Sequence, residues 1–135
     1  NDNSLLLRLQ YWKVSVMIIQ QYPIFGVGTG DIKHAFKEQY DKINTTLEPN
    51  KQRRSHNQYL SISVTFGLFG LFVFIFALTY TAIINKRFNS FHFTTVFIIL
   101  LLSMITEDTI ETQVGVSIFS FFYCFFLENN PSIEN

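Results

Sequence analysis

Long stretches without charged residues occupy the second half of this chain. The first, residues 60–84, forms a helix of about 37 Å at the usual rise per residue, which exceeds the roughly 30 Å hydrocarbon core of a bilayer. Two shorter apolar runs follow at residues 93–105 and 114–127. The pattern predicts transmembrane helices at about 60–84, 90–106 and 113–128, of which the last either spans or lies partly re-entrant. A soluble helical module is the alternative, and it requires the first run to dissolve without detergent.

Two amphipathic helices are predicted in the more polar first half, residues 1–59. The apolar stripe of the first consists of Leu5, Leu9, Trp12, Val16 and Ile19. Another face of that helix carries Arg8, Tyr11 and Ser15. The apolar face of the second consists of Ile32, Ala35, Phe36, Gln39, Tyr40 and Ile43. Because the first half shows helical spacing and the second half holds apolar runs of helical length, the expected fold class is all-α, with a polar helical region at 1–59 and a membrane region at 60–135.

The two amphipathic helices are joined by a loop in which Gly26, Gly28 and Gly30 alternate with other residues. This spacing differs from the dinucleotide-binding fingerprint and from a P-loop, so nucleotide binding is not indicated. Alternating glycines permit positive φ and a close approach of the backbone to a neighbouring element. Asp31 follows the glycines and is suited to cap the second helix.

The charge and cysteine content exclude several classes of function. Ten basic residues balance ten acidic ones, and 15% of the chain is charged, against about a quarter in soluble domains. A neutral chain has no basic excess with which to bind nucleic acid. The single cysteine, Cys124, lies in an apolar run, so neither an intramolecular disulfide nor a zinc ribbon is expected.

The basic residues give conflicting indications of membrane orientation. Lys86 and Arg87 lie between the first two predicted spans and indicate a cytoplasmic turn by the positive-inside rule. Residues 31–55 hold six basic residues against four acidic ones, and the same rule makes that segment cytoplasmic too. The two segments flank one span, so only one of them is cytoplasmic.

His56 stands where the polar region meets the long apolar run, next to Asn57 and just after Arg53 and Arg54. An imidazole exchanges protons near neutral pH, and guanidinium groups bind phosphate oxygens through forked hydrogen bonds. These residues favour a site that moves a proton beside an anion. A polar cluster that only flanks the helix end is the alternative, and a snorkelling anchor is the alternative for Arg8.

The motifs together resemble the O-antigen ligase and polymerase family of bacterial envelope enzymes. The matching positions, in the order that family uses, are Arg8, the glycine loop with Asp31, His56, Asn57, Gly67 and Gly70. The acidic segment 106–113, followed by Gly115, resembles the last external turn of the family. The likeness covers nearly the whole chain.

The resemblance implies a polytopic inner-membrane protein of the class C glycosyltransferase type, of which this chain is the C-terminal portion. Residues 1–59 would then form a periplasmic helical loop that ends at His56, followed by three transmembrane helices. The implied reaction moves a glycan from undecaprenyl pyrophosphate to an acceptor with inversion and without a metal or nucleotide cofactor. O-antigen ligation to lipid A core is the first choice; polymerisation and transfer to protein are alternatives within the family.

The resemblance also implies roles for individual residues. His56 would accept or position the proton of the acceptor hydroxyl, and Asn57 would orient His56 or a sugar hydroxyl. Arg8 would bind the donor pyrophosphate, with Arg53 and Arg54 as helpers. If Arg8 and His56 serve one site, the structure should bring both to one cavity.

Further expectations concern the second half of the chain. Gly67 and Gly70 would allow close helix packing beneath the site. Glu107, Asp108 and Glu111 would form an acidic external turn, of which Glu111 or Glu107 would contact the site, with Glu111 as the orienting residue. A divalent-metal site built from these carboxylates is the alternative, although the resembled family does not imply one.

A function of another class is also compatible with the residues. In a non-catalytic membrane transporter or scaffold, the histidine and the arginines would bind or conduct an anion. Substitution of His56 would then alter transport or assembly and leave glycan attachment unchanged.

Overall fold

The computed structural model describes residues 4–45 and 47–128, and this part of the chain is helical without strands. Its α-helices are α1 (Ser4–Gln21), α2 (Ile32–Lys42), α3 (Gln58–Ile84), α4 (Phe91–Thr106) and α5 (Gln113–Glu128). Short 3-10 turns lie at Pro49–Lys51, Arg87–Asn89 and Thr109–Glu111. The all-α class is therefore confirmed. Residues 1–3 and 129–135, at the outer ends of the two predicted regions, lie outside the described residues.

α1 buries a different face from the one that its spacing predicted. Its buried side chains are those of Tyr11, Val14, Ser15 and Ile18. The predicted stripe is wrong in part, because Leu5, Leu9 and Val16 are exposed. Apolar residues surround most of this helix, so spacing alone does not select the packed face. Ser15 tolerates burial because its hydroxyl donates to the Tyr11 carbonyl at 2.9 Å.

α2 packs against α1 and buries half of its predicted face. Phe36, Gln39 and Tyr40 are buried, whereas Ile43, just beyond the helix end, is exposed. Asp31 takes the N-cap position as expected, but its side chain makes no capping hydrogen bond. The predicted side-chain cap is therefore wrong.

α3 is interrupted at Gly67, where φ is 69° and ψ is −172°. The loop at residues 23–28 fills the interruption: the N–H groups of Val27 and Gly28 donate to α3 carbonyls at 2.8 and 2.9 Å. In return, the Leu68 N–H donates to a loop carbonyl at 2.8 Å. A side chain at Gly67 would clash with the Ile24 carbonyl, so only glycine fits. The close approach predicted at Gly67 is therefore to this loop and not to another helix.

By length and composition, one described helix, α3, is long and apolar enough to cross a membrane. α4 and the Gln113–Phe125 part of α5 are apolar but shorter. A hydrophobic cluster that includes Leu78, Phe93 and Phe97 packs these helices together. The second and third spans stay predictions, as does the orientation of the chain.

Candidate functional site

Helix ends converge around the acidic turn that joins α4 to α5. The side-chain oxygen of Gln58, at the start of α3, accepts the Ile110 N–H at 2.8 Å. The hydroxyl of Tyr59 donates to the Leu101 carbonyl in α4 at 2.9 Å. These hydrogen bonds hold the 107–111 turn beside the start of α3, directly next to His56.

Aromatic side chains of α1 and α2 hold the segment that leads into His56. The hydroxyls of Tyr11 and Tyr40 donate to the carbonyls of Lys51 and Arg53, each at 2.8 Å. The indole N–H of Trp12 donates to the carbonyl of Ser55 at 3.0 Å. The carbonyl of every second residue in the 51–55 segment is thus hydrogen-bonded to a side chain of α1 or α2. The guanidinium groups and the imidazole are presented from a backbone that these bonds immobilise.

His56 itself lies in the left-handed region, with φ of 47°. For a residue other than glycine, this backbone conformation costs free energy, and such strain concentrates at functional sites. The imidazole is 38% exposed, and its Nδ1 atom lies 3.9 Å from Oδ2 of Asp108. The His56 ring also faces the Tyr11 ring at a centroid distance of 6.3 Å. The histidine is therefore oriented yet still open to a ligand.

Each carboxylate of the acidic turn faces a basic side chain from another element. Glu107 binds Arg8 at 3.1 Å, and the same guanidinium donates to the Thr106 carbonyl at 2.9 Å. Glu111 binds Arg54 at 3.2 Å. With the His56–Asp108 pair, these contacts bring Arg8, Arg54 and His56 to one turn. The turn brings together basic side chains that lie far apart in the sequence.

Asp108 is the most buried of these carboxylates, with 9% of the residue exposed. Burial raises the pKa of Asp108, and the negative charge of Glu111 raises it further. Arg54, His56 and a hydrogen bond with Ser61 act in the opposite direction. The Oδ1 atom is buried without a hydrogen-bond partner among the described residues. Ionisation of the Asp108 carboxyl therefore lowers the stability of the folded state.

We expect Asp108→Asn to stabilise the fold at neutral pH. The pKa of Asp108 is higher in the folded protein than the ordinary aspartate pKa. Stability therefore falls as the pH rises from the ordinary aspartate pKa to the pKa in the folded protein. The Tm advantage of Asp108→Asn over wild type should therefore grow from pH 3 to pH 7. Thermal unfolding of the purified protein in nanodiscs measures this difference. Glu107→Gln, which removes an exposed carboxylate, is the control and should change Tm little. A Tm difference that is independent of pH would contradict the argument.

Two cavities meet at His56 and Arg53. The first, which we call the α2 cavity, has a volume of about 550 Å³, and its charged or titratable lining residues include Lys33, Lys37, Arg53, Arg54, His56 and Asp108. The second, which we call the Arg8 cavity, has a volume of about 380 Å³, and its charged or titratable lining residues include Arg8, Lys51, Arg53, His56 and Glu107. Arg8 and His56 therefore share one cavity, as expected if they serve one site. Cations outnumber carboxylates around both cavities, which suits them to anionic ligands.

Other predicted site residues have structural contacts. The side-chain oxygen of Asn57 accepts the Leu60 N–H at 3.1 Å and so caps α3; its orienting role stays a prediction. Gly26 and Gly28 have φ of 67° and 81° and lie in the loop that enters the α3 interruption. A Cβ atom added at Gly30 would have open space around it. A Cβ atom added at Gly70 would meet the side chain of Phe66 in the same helix.

Sequence reasoning missed the pairing of Asp108 with His56. It also missed the hydrogen bonds that tyrosine and tryptophan side chains donate to the carbonyls of the 51–55 segment. The sequence shows Asp108 only as one of three acids in a turn, and nothing in its position relative to the other two indicates burial. Tyr11 and Trp12 precede their hydrogen-bond partners by many residues. Only a fold that places α1 beside the segment joins them.

Comparison with known proteins adds one match. A sequence model described as O-antigen ligase matches residues 1–75, which is more than half of the chain and includes α1, α2 and His56. No curated protein and no solved structure matches the chain.

Proposed function

Because this chain belongs to the O-antigen ligase family, we propose that it transfers a glycan from undecaprenyl pyrophosphate to lipid A core at the periplasmic face of the bacterial inner membrane. The family match confirms the resemblance that the motifs suggested. Membership of this family indicates an activity of the O-antigen ligase or polymerase type. Such activity joins a lipid-linked glycan donor to a glycan acceptor in the inner membrane. The choice of ligase, donor and acceptor is our proposal.

The observation that carries the proposal is the convergence of His56 with Arg8, Arg53 and Arg54 around two adjoining cavities. Glycan transfer from a lipid diphosphate needs a base for the acceptor hydroxyl and cations for the leaving group. His56 lines both cavities, so it can lie between an acceptor in one and a donor in the other. The same residues supply both chemical requirements within one site.

In the proposed reaction, the acceptor hydroxyl oxygen forms a bond to the anomeric carbon while the bond from that carbon to the pyrophosphate oxygen breaks. The electron pair of the broken bond leaves with undecaprenyl pyrophosphate. The hydroxyl proton passes to His56, whose Nδ1 atom faces Asp108 and whose Nε2 atom is then the acceptor. A single displacement of this kind inverts the anomeric configuration.

The arginines would stabilise the charge that develops on the pyrophosphate. Arg8 and Arg54 are now paired with Glu107 and Glu111, but all four side chains are at least one-third exposed. Exposed ion pairs contribute little free energy, so a diphosphate can displace the carboxylates. Arg53 has no such carboxylate partner among the described residues and lines both cavities. We propose that these cations neutralise the leaving group without a metal ion, and that Glu111 orients Arg54.

The apolar surface of α3, α4 and α5 supports a membrane setting with further helices. Large apolar side chains on all three helices are exposed, among them Phe72 at 66%, Phe91 at 79% and Val114 at 69%. A water-soluble protein rarely leaves so much contiguous apolar surface uncovered. We propose that the three helices span the inner membrane as the C-terminal part of a polytopic protein. The site at the α3 start would then face the periplasm.

A lipopolysaccharide gel tests the proposed activity. A strain deleted for the gene that encodes this chain is complemented with the wild-type gene or with an empty vector. We expect the deletion strain to accumulate lipid A core without attached polymer, and the wild-type gene to restore the ladder. Core that carries a single repeat would instead indicate a polymerase. An unchanged profile would contradict both and favour protein glycosylation or an anion transporter.

A further inference from the structure

The α2 cavity contains more cations than the proposed displacement needs. We propose that this cavity is the acceptor subsite and that Lys33 and Lys37 bind an oxyanion group, a phosphate ester or a carboxylate, carried by the acceptor glycan. This inference rests on the proposed function. It assigns a substrate class to a cavity whose two lysines have no role in leaving-group stabilisation.

The charges around the cavity support an anionic ligand. Its wall includes Lys33, Lys37, Arg53 and Arg54 as cations, with Asp108 as the carboxylate. Arg54 is already paired with Glu111 at 3.2 Å. Neither lysine has an ion-pair partner among residues 4–45 and 47–128. The lysine side of the cavity is therefore left with uncompensated positive charge.

The spacing of the lysines is also unfavourable for the helix alone. Lys33 and Lys37 lie four residues apart on α2, where like charges repel by a few tenths of a kcal/mol. In contrast, Glu38 and Lys42, also four apart, form an ion pair at 2.8 Å. Phe36, which lies between Lys33 and Lys37 in the chain, is buried in the core and also lines the cavity. An oxyanion between the two ammonium groups would remove the repulsion.

The placement of the two cavities assigns the α2 cavity to the acceptor. Arg8 donates to the carbonyl of Thr106, the last residue of α4, so the Arg8 cavity lies where a membrane helix would end. A donor anchored by its lipid keeps its diphosphate at that level. α2 packs on α1, and its lysines line the same cavity as His56 from a different element. Arg53 lines both cavities and Arg54 lines the α2 cavity, so the donor diphosphate would extend from the Arg8 cavity past Arg53 to Arg54. The attacking hydroxyl would then come from the lysine side of the α2 cavity.

Kinetics with the complete membrane protein test this subsite. Initial rates of transfer are measured against the concentration of lipid A core, either as isolated or after treatment with alkaline phosphatase. A third sample has its carboxylates amidated with carbodiimide. We expect wild type to prefer the untreated acceptor by about 10-fold or more in kcat/KM over the sample that lost the recognised group. The phosphatase and amidation arms identify whether that group is a phosphate or a carboxylate.

Matched variants separate recognition from a structural role. Lys33→Gln combined with Lys37→Gln should reduce the preference to about 1, through a higher KM for the acceptor. Lys33→Arg combined with Lys37→Arg should retain it, because both charges remain. Lys42→Gln removes a charge from the same helix outside the cavity and should also leave the preference unchanged.

Distinct results overturn the subsite and the proposed function. Wild type without a preference in either arm, or a glutamine variant whose KM rises for the donor and not for the acceptor, would overturn the acceptor subsite alone. Absence of glycan transfer by wild type would overturn the proposed function, and the subsite with it.

Discussion

Replacement of His56 by Asn is expected to reduce the rate of glycan transfer by about 10²- to 10⁴-fold, the usual contribution of a general base. Asn tolerates the left-handed φ of 47° at this position and can still form hydrogen bonds, but it does not accept a proton near neutral pH. The variant should therefore fold and enter the membrane normally. Single-turnover rates with purified protein and lipid-linked donor measure the loss.

Two comparisons make the result specific to the site. His56→Ala removes the same base but is poorly suited to positive φ, so a loss seen only with Ala would indicate a conformational role. His92→Ala removes an exposed histidine at the start of α4 and should retain the wild-type rate. A His56→Asn protein whose rate stays within a few-fold of wild type would contradict the assignment of His56 as the base. The enzyme class would then need another proton acceptor.

Replacement of Gly67 by Ala is expected to abolish accumulation of folded protein. Its φ of 69° with ψ of −172° belongs to a region that is essentially restricted to glycine, and other residues lose about 1–3 kcal/mol there. The added methyl group would also clash with the Ile24 carbonyl of the loop that fills the α3 interruption. Both costs fall where loop and helix exchange backbone hydrogen bonds. Each variant is fused to a fluorescent protein, and its fluorescence-detected size-exclusion profile measures the folded fraction.

Gly30→Ala is the matched control for this prediction. A Cβ at Gly30 meets nothing within 4 Å, so the variant should elute as wild type does. Gly26→Ala should behave like Gly67→Ala, because its Cβ would lie 2.5 Å from the Thr65 carbonyl carbon. A monodisperse Gly67→Ala protein with unchanged Tm would contradict the close packing of the loop into α3.

Several features of the site were predictable because they depend on neighbours in the sequence. The boundary between polar and apolar residues identified His56, and the arginines beside it indicated an anion. The expectation that Arg8 shares a cavity with His56 came from the family resemblance, and the structure agrees with it. The roles of these side chains in catalysis stay predictions that the substitutions above test.

The sequence by itself determined where helices form, because a long uncharged run and helical spacing are local properties of the chain. Only the tertiary structure decided that α1 buries Tyr11 and Val14 while Leu5 stays exposed, since several of its faces are apolar enough to pack. It also decided that Asp108 is the carboxylate beside His56, and that a loop and not a helix fills the break at Gly67. These contacts join residues far apart in the chain, and their free energy depends on which surfaces meet when the helices pack.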